Sequence, residues 1–105
     1  MKSGDAVWLD FNPQLGHKQA GKRPAIVISP LAYNQKVGLA LFCPITSHAK
    51  GYPLEVAIPK NSKISGVVLS DQIKSLDWQS RNVTFIAELP KSVIEEVSMK
   101  TKTLI

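Results

Sequence analysis

Asp5-Ala6-Val7-Trp8-Leu9-Asp10-Phe11-Asn12-Pro13 is the stretch whose reading decides the fold class. Val7, Leu9 and Phe11 alternate with Trp8 and Asp10, the period-two pattern of a half-buried strand. Asn12-Pro13 breaks the alternation and opens a polar loop, Gln14 to Lys22, that contains Gly16 and Gly21. The same grammar repeats downstream. Pro24 to Ser29 is a short apolar run rich in β-branched residues, the pattern of a well-buried strand closed by Pro30. Leu39 to Thr46 forms the next strand, and Pro44 predicts an edge position or a bulge near its end, because proline cannot donate to a ladder. Leu54 to Ile58, Gly66 to Ser70 and Val83 to Ala87 bring the total to about six strands.

After Pro90 the period changes. Val93, Ile94, Val97, Thr101 and Leu104 fall on one side at helical spacing. Glu95 and Glu96 in an early turn and Lys100 and Lys102 near the end suit the helix dipole. Many short strands followed by one helix predict a mainly β chain: a small antiparallel sheet, curled or closed into a barrel, with the helix packed on it. At 105 residues, one domain spanning 1–105 with a single modest core is expected.

Charge narrows the function. The net charge is +5, and it is unevenly distributed. Between Asn12 and Lys63 there are seven basic residues and one acid, Glu55; the remainder holds six basic and seven acidic residues. The middle of the chain therefore carries the whole cationic surplus, which attracts polyanions. The lone Cys43, inside the apolar run Leu39-Ala40-Leu41-Phe42-Cys43, rules out an intrachain disulfide and reads as a buried small hydrophobe. With no apolar stretch after Lys2 and no run of membrane-spanning length, a cytoplasmic protein without membrane association is expected.

Four segments carry a family resemblance. They are Gly4-Asp5-Ala6-Val7-Trp8 with Asp10-Phe11-Asn12-Pro13; Gly16-His17-Lys18-Gln19-Ala20-Gly21-Lys22-Arg23-Pro24; Pro44-Ile45-Thr46-Ser47; and Asp71-Gln72-Ile73-Lys74-Ser75. In this order and spacing they resemble the MazF, Kid and PemK ribonuclease toxins of type II toxin–antitoxin modules, from Gly4 through the C-terminal helix. The resemblance implies an SH3-like β-barrel with a C-terminal helix and a homodimer. It also implies sequence-specific cleavage of single-stranded RNA, mRNA included, without a metal or other cofactor. The implied partner is a cognate antitoxin with an acidic C-terminal segment.

Metal-independent cleavage uses the substrate's own 2′-OH as nucleophile and leaves a 2′,3′-cyclic phosphate and a 5′-OH. It requires a proton acceptor, a proton donor and a cation for the pentacoordinate phosphoryl group. The resemblance assigns the cation to Arg23, since a guanidinium is always ionised and forks onto two phosphate oxygens. Thr46 matches the family's strand-end threonine and offers a hydroxyl to the scissile phosphate; outside this context it is an ordinary β-former. His17 and Asp71 match positions where Kid-like members place an acid–base histidine and a carboxylate, and which of them is acid and which base stays open. Many relatives carry Glu where this chain has Lys18, so a carboxylate base at that position is excluded here.

Lys18, Gln19, Lys22, Ser47, Lys50, Tyr52, Gln72 and Lys74 are the expected RNA contacts. Lysines would meet phosphates, and Tyr52 would stack on an unpaired base. Trp8 and Trp78 read as structural or interface aromatics, and His48 as a plain loop residue. Two alternatives share the barrel: a non-catalytic toxin of the gyrase-inhibiting kind, and an RNA-binding module without catalysis. The ending Lys102-Thr103-Leu104-Ile105 lacks the aromatic residues through which the first alternative acts.

Overall fold

A computed structural model describes residues 1–11 and 21–105. Among the described residues, seven strands and two helices follow in the order β1 (Asp5–Asp10), β2 (Lys22–Val27), α1 (Leu31–Val37), β3 (Ala40–Thr46), β4 (Glu55–Ala57), β5 (Val67–Leu69), β6 (Lys74–Leu76), β7 (Thr84–Glu88) and α2 (Lys91–Lys102), with a 3₁₀ turn at Trp78–Ser80. All pairings are antiparallel, and the main path runs β4-β5-β3-β2-β1-β7 with β6 beside β3. The sheet curls as a barrel does, but this path has two ends, at β4 and at β7. No helix of the described residues is long and apolar enough to cross a membrane.

The central strands are buried on both faces. Ala6, Ile26, Cys43 and Ile45 join Leu89, Val93 and Val97 of the C-terminal segment in one cluster. Val7, Leu9, Ala25, Val27 and Phe42, one residue out of phase with the first set, join Phe11 and Leu76 in another. The alternation seen in β1 thus marks one core face, while Ala6 on the opposite face is equally enclosed. Each fully buried Val, Leu, Ile or Phe contributes roughly 1.5–3 kcal/mol relative to exposure.

The structure corrects several expectations. β3 is no edge strand: β2 flanks it on one side, and β6 then β5 on the other. Pro44 is tolerated because Ala40–Phe42 pair with β6 and Ile45–Thr46 with β5, so the proline sits where that flank changes partner. α1 escaped the sequence reading because it presents no apolar stripe: Leu31, Tyr33 and Val37 are exposed, and its buried residue is Asn34. The Asn34 amide instead donates to the Ser29 and Met1 carbonyl oxygens, both at 3.1 Å. β6 was missed because two of its three residues are exposed. Helix α2 buries Val93 and Val97 as expected, but it ends at Lys102, so Leu104 lies beyond it and is exposed.

Candidate functional site

The site grows out of strand register. β2 and β3 pair as Ala25↔Pro44, Ile26↔Cys43 and Val27↔Phe42. Continuing that register by two residues sets Arg23 opposite Thr46, where cross-strand side chains are nearest neighbours. Both residues line one open recess of about 380 Å³, together with Trp8, Pro24, Ile45, Ser47, His48, Ile64 and Ser65. Arg23 is exposed and makes no ion pair among the described residues. The two residues singled out in sequence, 23 positions apart, are thus brought to one wall by a single strand pairing.

Thr46 is held from behind. It pairs with Val67 of β5, and its Oγ1 accepts the backbone N–H of His48 at 3.1 Å. With its oxygen already an acceptor, the hydroxyl proton is available to a phosphate oxygen. Gly66, with φ +121°, passes so close that a Cβ there would lie 2.2 Å from the Thr46 carbonyl oxygen. Only glycine fits this approach.

Beside the first recess lies a smaller one of about 200 Å³, lined by Thr46, His48, Lys50, Tyr52, Glu55, Leu69 and Gln72. Its loop is ordered by Glu55, whose carboxylate accepts the backbone N–H groups of Lys50 at 2.8 Å and Gly51 at 2.9 Å. Half-buried Tyr52 donates its phenol to Asp71 Oδ1 at 3.1 Å. Desolvation, then the Asp71 hydrogen bond and charge, push the phenol above its ordinary value and keep it a donor. Asp71 therefore adjoins the second recess through Tyr52.

Among the expected site residues, Arg23, Thr46 and Ser47 line the larger recess, and Lys50, Tyr52 and Gln72 the smaller. Lys22 and Lys74 line neither. Lys22 Nζ donates to Thr84 Oγ1 at 3.1 Å, and Lys74 Nζ lies 5.4 Å from the centre of the Phe11 ring. His17, Lys18 and Gln19 lie outside the described residues.

Three residues at the recesses were not singled out in sequence. Trp8, 37% exposed, forms part of the Arg23 recess, whereas Trp78 is structural, its indole N–H donating to the Asn34 carbonyl at 3.1 Å. His48 lines both recesses. Glu55 shapes the loop from a position that carries no motif. The only available signal for His48 was its distance of two residues from Thr46. Cys43 is buried as expected; desolvation, then the charge of Asp71, push its thiol up to about 12.

Comparison with known proteins places the chain as a whole. A family described as PemK-like, MazF-like toxin of type II toxin-antitoxin system matches residues 2–105. The endoribonuclease toxin MazF of Escherichia coli strain K12 is 41% identical over 102 residues, covering 97% of this chain and 91% of its own. The crystal structure of MazF from Deinococcus radiodurans superposes with a TM-score of 0.89 at 52% identity, covering 99% of this chain and 94% of that one. A MazE–MazF crystal structure from the same organism gives 0.88 at 47% identity, covering 99% and 93%. With its strand order, its Arg23–Thr46 wall and these relatives in hand, the chain belongs to the PemK-like, MazF-like toxin family of type II toxin–antitoxin systems.

Proposed function

We propose that this chain is the endoribonuclease of a toxin–antitoxin pair, cutting single-stranded RNA, mRNA included, at short sequence motifs by 2′-OH attack without a metal. The observation that carries the reading is the placement of Arg23 and Thr46 in one recess. A guanidinium and a free hydroxyl proton meet the needs of a phosphoryl group gaining negative charge. Attack of O2′ on phosphorus displaces O5′, giving a 2′,3′-cyclic phosphate and a 5′-OH end. Asp71 and a histidine serve proton transfer, His17 being the histidine that the family resemblance suggests.

The smaller recess suits an unpaired nucleotide, with the Tyr52 ring as a stacking surface and Lys50 and Gln72 as polar contacts. Ser47 contacts the backbone of the same strand, Lys22 and Lys74 extend the cationic surface beyond the two recesses, and Lys18 and Gln19 are further RNA contacts. An antitoxin with an acidic C-terminal segment competes for this surface, and the toxin acts as a cytoplasmic homodimer. The relatives support the reading: the E. coli protein is named an endoribonuclease toxin, and the D. radiodurans protein crystallises with MazE.

The test is to incubate the purified chain with a long mixed-sequence RNA, with and without EDTA, and map the new ends. Expected are 5′-OH ends at a recurring motif, unaffected by EDTA. For Arg23→Ala the rate falls roughly 10²–10³-fold with the fold intact. RNA left whole, 5′-phosphate ends, or a fully active Arg23→Ala chain would each refute the proposal.

A further inference from the structure

We propose that His48 is the general acid of the cleavage, donating the proton of its Nε2 to the departing O5′; the inference rests on the 2′-OH mechanism above. His48 forms the ridge between the two recesses and lines both. Its main chain is tied to the site, because its N–H donates to Thr46 Oγ1 at 3.1 Å. Its ring is tied as well: Nδ1 lies 3.3 Å from Ser47 Oγ. That contact occupies Nδ1 and leaves Nε2 with no hydrogen-bond partner among the described residues, so Nε2 is the ring nitrogen open to substrate.

The groups facing His48 leave this role to it. Arg23 of β2 and Lys50 of its own loop face it as cations, placed to meet phosphate oxygens. Glu55, at the start of β4, is engaged by two backbone amides. Tyr52 keeps its proton tightly and spends it on Asp71. Asp71 already accepts a hydrogen bond and is suited to taking a proton, not giving one. Among the described residues His48 carries the one imidazole, a ring with two nitrogens able to give or take a proton.

In the step itself the O2′–P bond forms and the P–O5′ bond breaks. The Nε2 proton passes to O5′, leaving a neutral imidazole, and the 2′-OH proton passes to Asp71 or to water. Solvent then reprotonates the imidazole. His48 thus touches the leaving group, while Arg23 and Thr46 hold the phosphoryl oxygens.

A leaving-group substitution tests this. The purified chain and its His48→Ala and His48→Gln variants are given an RNA with one cleavage site, and the same RNA with sulfur replacing the bridging O5′. A thiolate departs without protonation. On the oxygen substrate both variants should lose roughly 10²–10⁴-fold in rate and the alkaline limb of the pH–rate profile. On the sulfur substrate they should match the parent. Rates are read at saturating RNA, and a thermal melt equal to the parent's shows that the variants are folded. Equal slowing on both substrates by folded variants, or full activity on the oxygen substrate, would overturn the assignment. A parent chain that leaves RNA uncut, or yields 5′-phosphate ends, instead overturns the underlying 2′-OH mechanism and is recognised without any His48 variant.

Discussion

Gly66→Ala should damage the site from a position that never touches substrate. The added Cβ would lie 2.2 Å from the Thr46 carbonyl oxygen, 2.9 Å from its carbonyl carbon and 3.2 Å from Ser47 Cα. Non-bonded carbon atoms prefer separations of about 3.5–4.0 Å, so something must move by about 1 Å. All three obstructing atoms are backbone, so no side chain can rotate away. The φ of +121° adds strain of about 1–3 kcal/mol for any L side chain. Relieving the overlap costs about 1–3 kcal/mol more. The sum is about 2–6 kcal/mol.

At about 4–8 °C per kcal/mol for a small domain, even the lower bound lowers Tm by about 8 °C. A 1 Å displacement of Thr46 also lowers kcat about 10²-fold. Gly51→Ala is the internal control: its φ is +84°, but a Cβ there meets nothing within 4 Å. Thermal melts and cleavage rates of the two variants separate backbone strain from collision. If Gly66→Ala melts and cleaves like Gly51→Ala, the account of Thr46 being held by close approach of β5 is refuted.

Other consequences are open to measurement. Arg81, mostly buried, binds the Asp10 carbonyl at 2.9 Å, the Phe11 carbonyl and the Asp77 carboxylate at 2.8 Å, fastening the end of β1. Arg81→Ala should therefore cost about 2–3 kcal/mol in urea unfolding, and an unchanged midpoint would contradict that role. Cys43, pushed up to about 12 from 9.0, stays protonated in the folded chain where the unfolded chain ionises. Its contribution is fully present below about pH 9 and is lost as pH rises toward 12, by at most about 1.4 kcal/mol per pH unit. A Cys43→Ala chain should lack that part of the alkaline decline, and the native thiol should react with a disulfide reagent only after unfolding. Finally, Lys50→Gln should reduce the slope of log affinity for single-stranded RNA against log salt by about 0.7. An unchanged slope would remove Lys50 from the phosphate path.

The sequence by itself determined the mainly β architecture, because alternation in Asp5–Phe11 and the β-branched run of Pro24–Ser29 are local signals of pleated, buried backbone. Arg23 and Thr46 were singled out by the resemblance of contiguous segments to a known family, which is a local signal as well. α1 and β6 were illegible for the same physical reason: neither buries an apolar periodic face, and each is held by distant partners, Asn34 by Met1 and Ser29, β6 by β3. Pro44 misled because a proline's missing donor shows only that one ladder bond is absent, not which neighbour strand lies there.

The composition of the site was decided by tertiary structure. Arg23 and Thr46 meet only because β2 and β3 pair in one register, and a shift of one residue would have set Arg23 opposite Ile45 or Ser47. His48 and Glu55 carry no motif of their own, and Trp8 lies in one that gives it no role. They belong to the site because the pairing of β1 with β2, the hydrogen bond to Thr46 and two backbone amides place them there. Local sequence sets what a segment can form; which side chains share a recess depends on contacts between residues far apart in the chain.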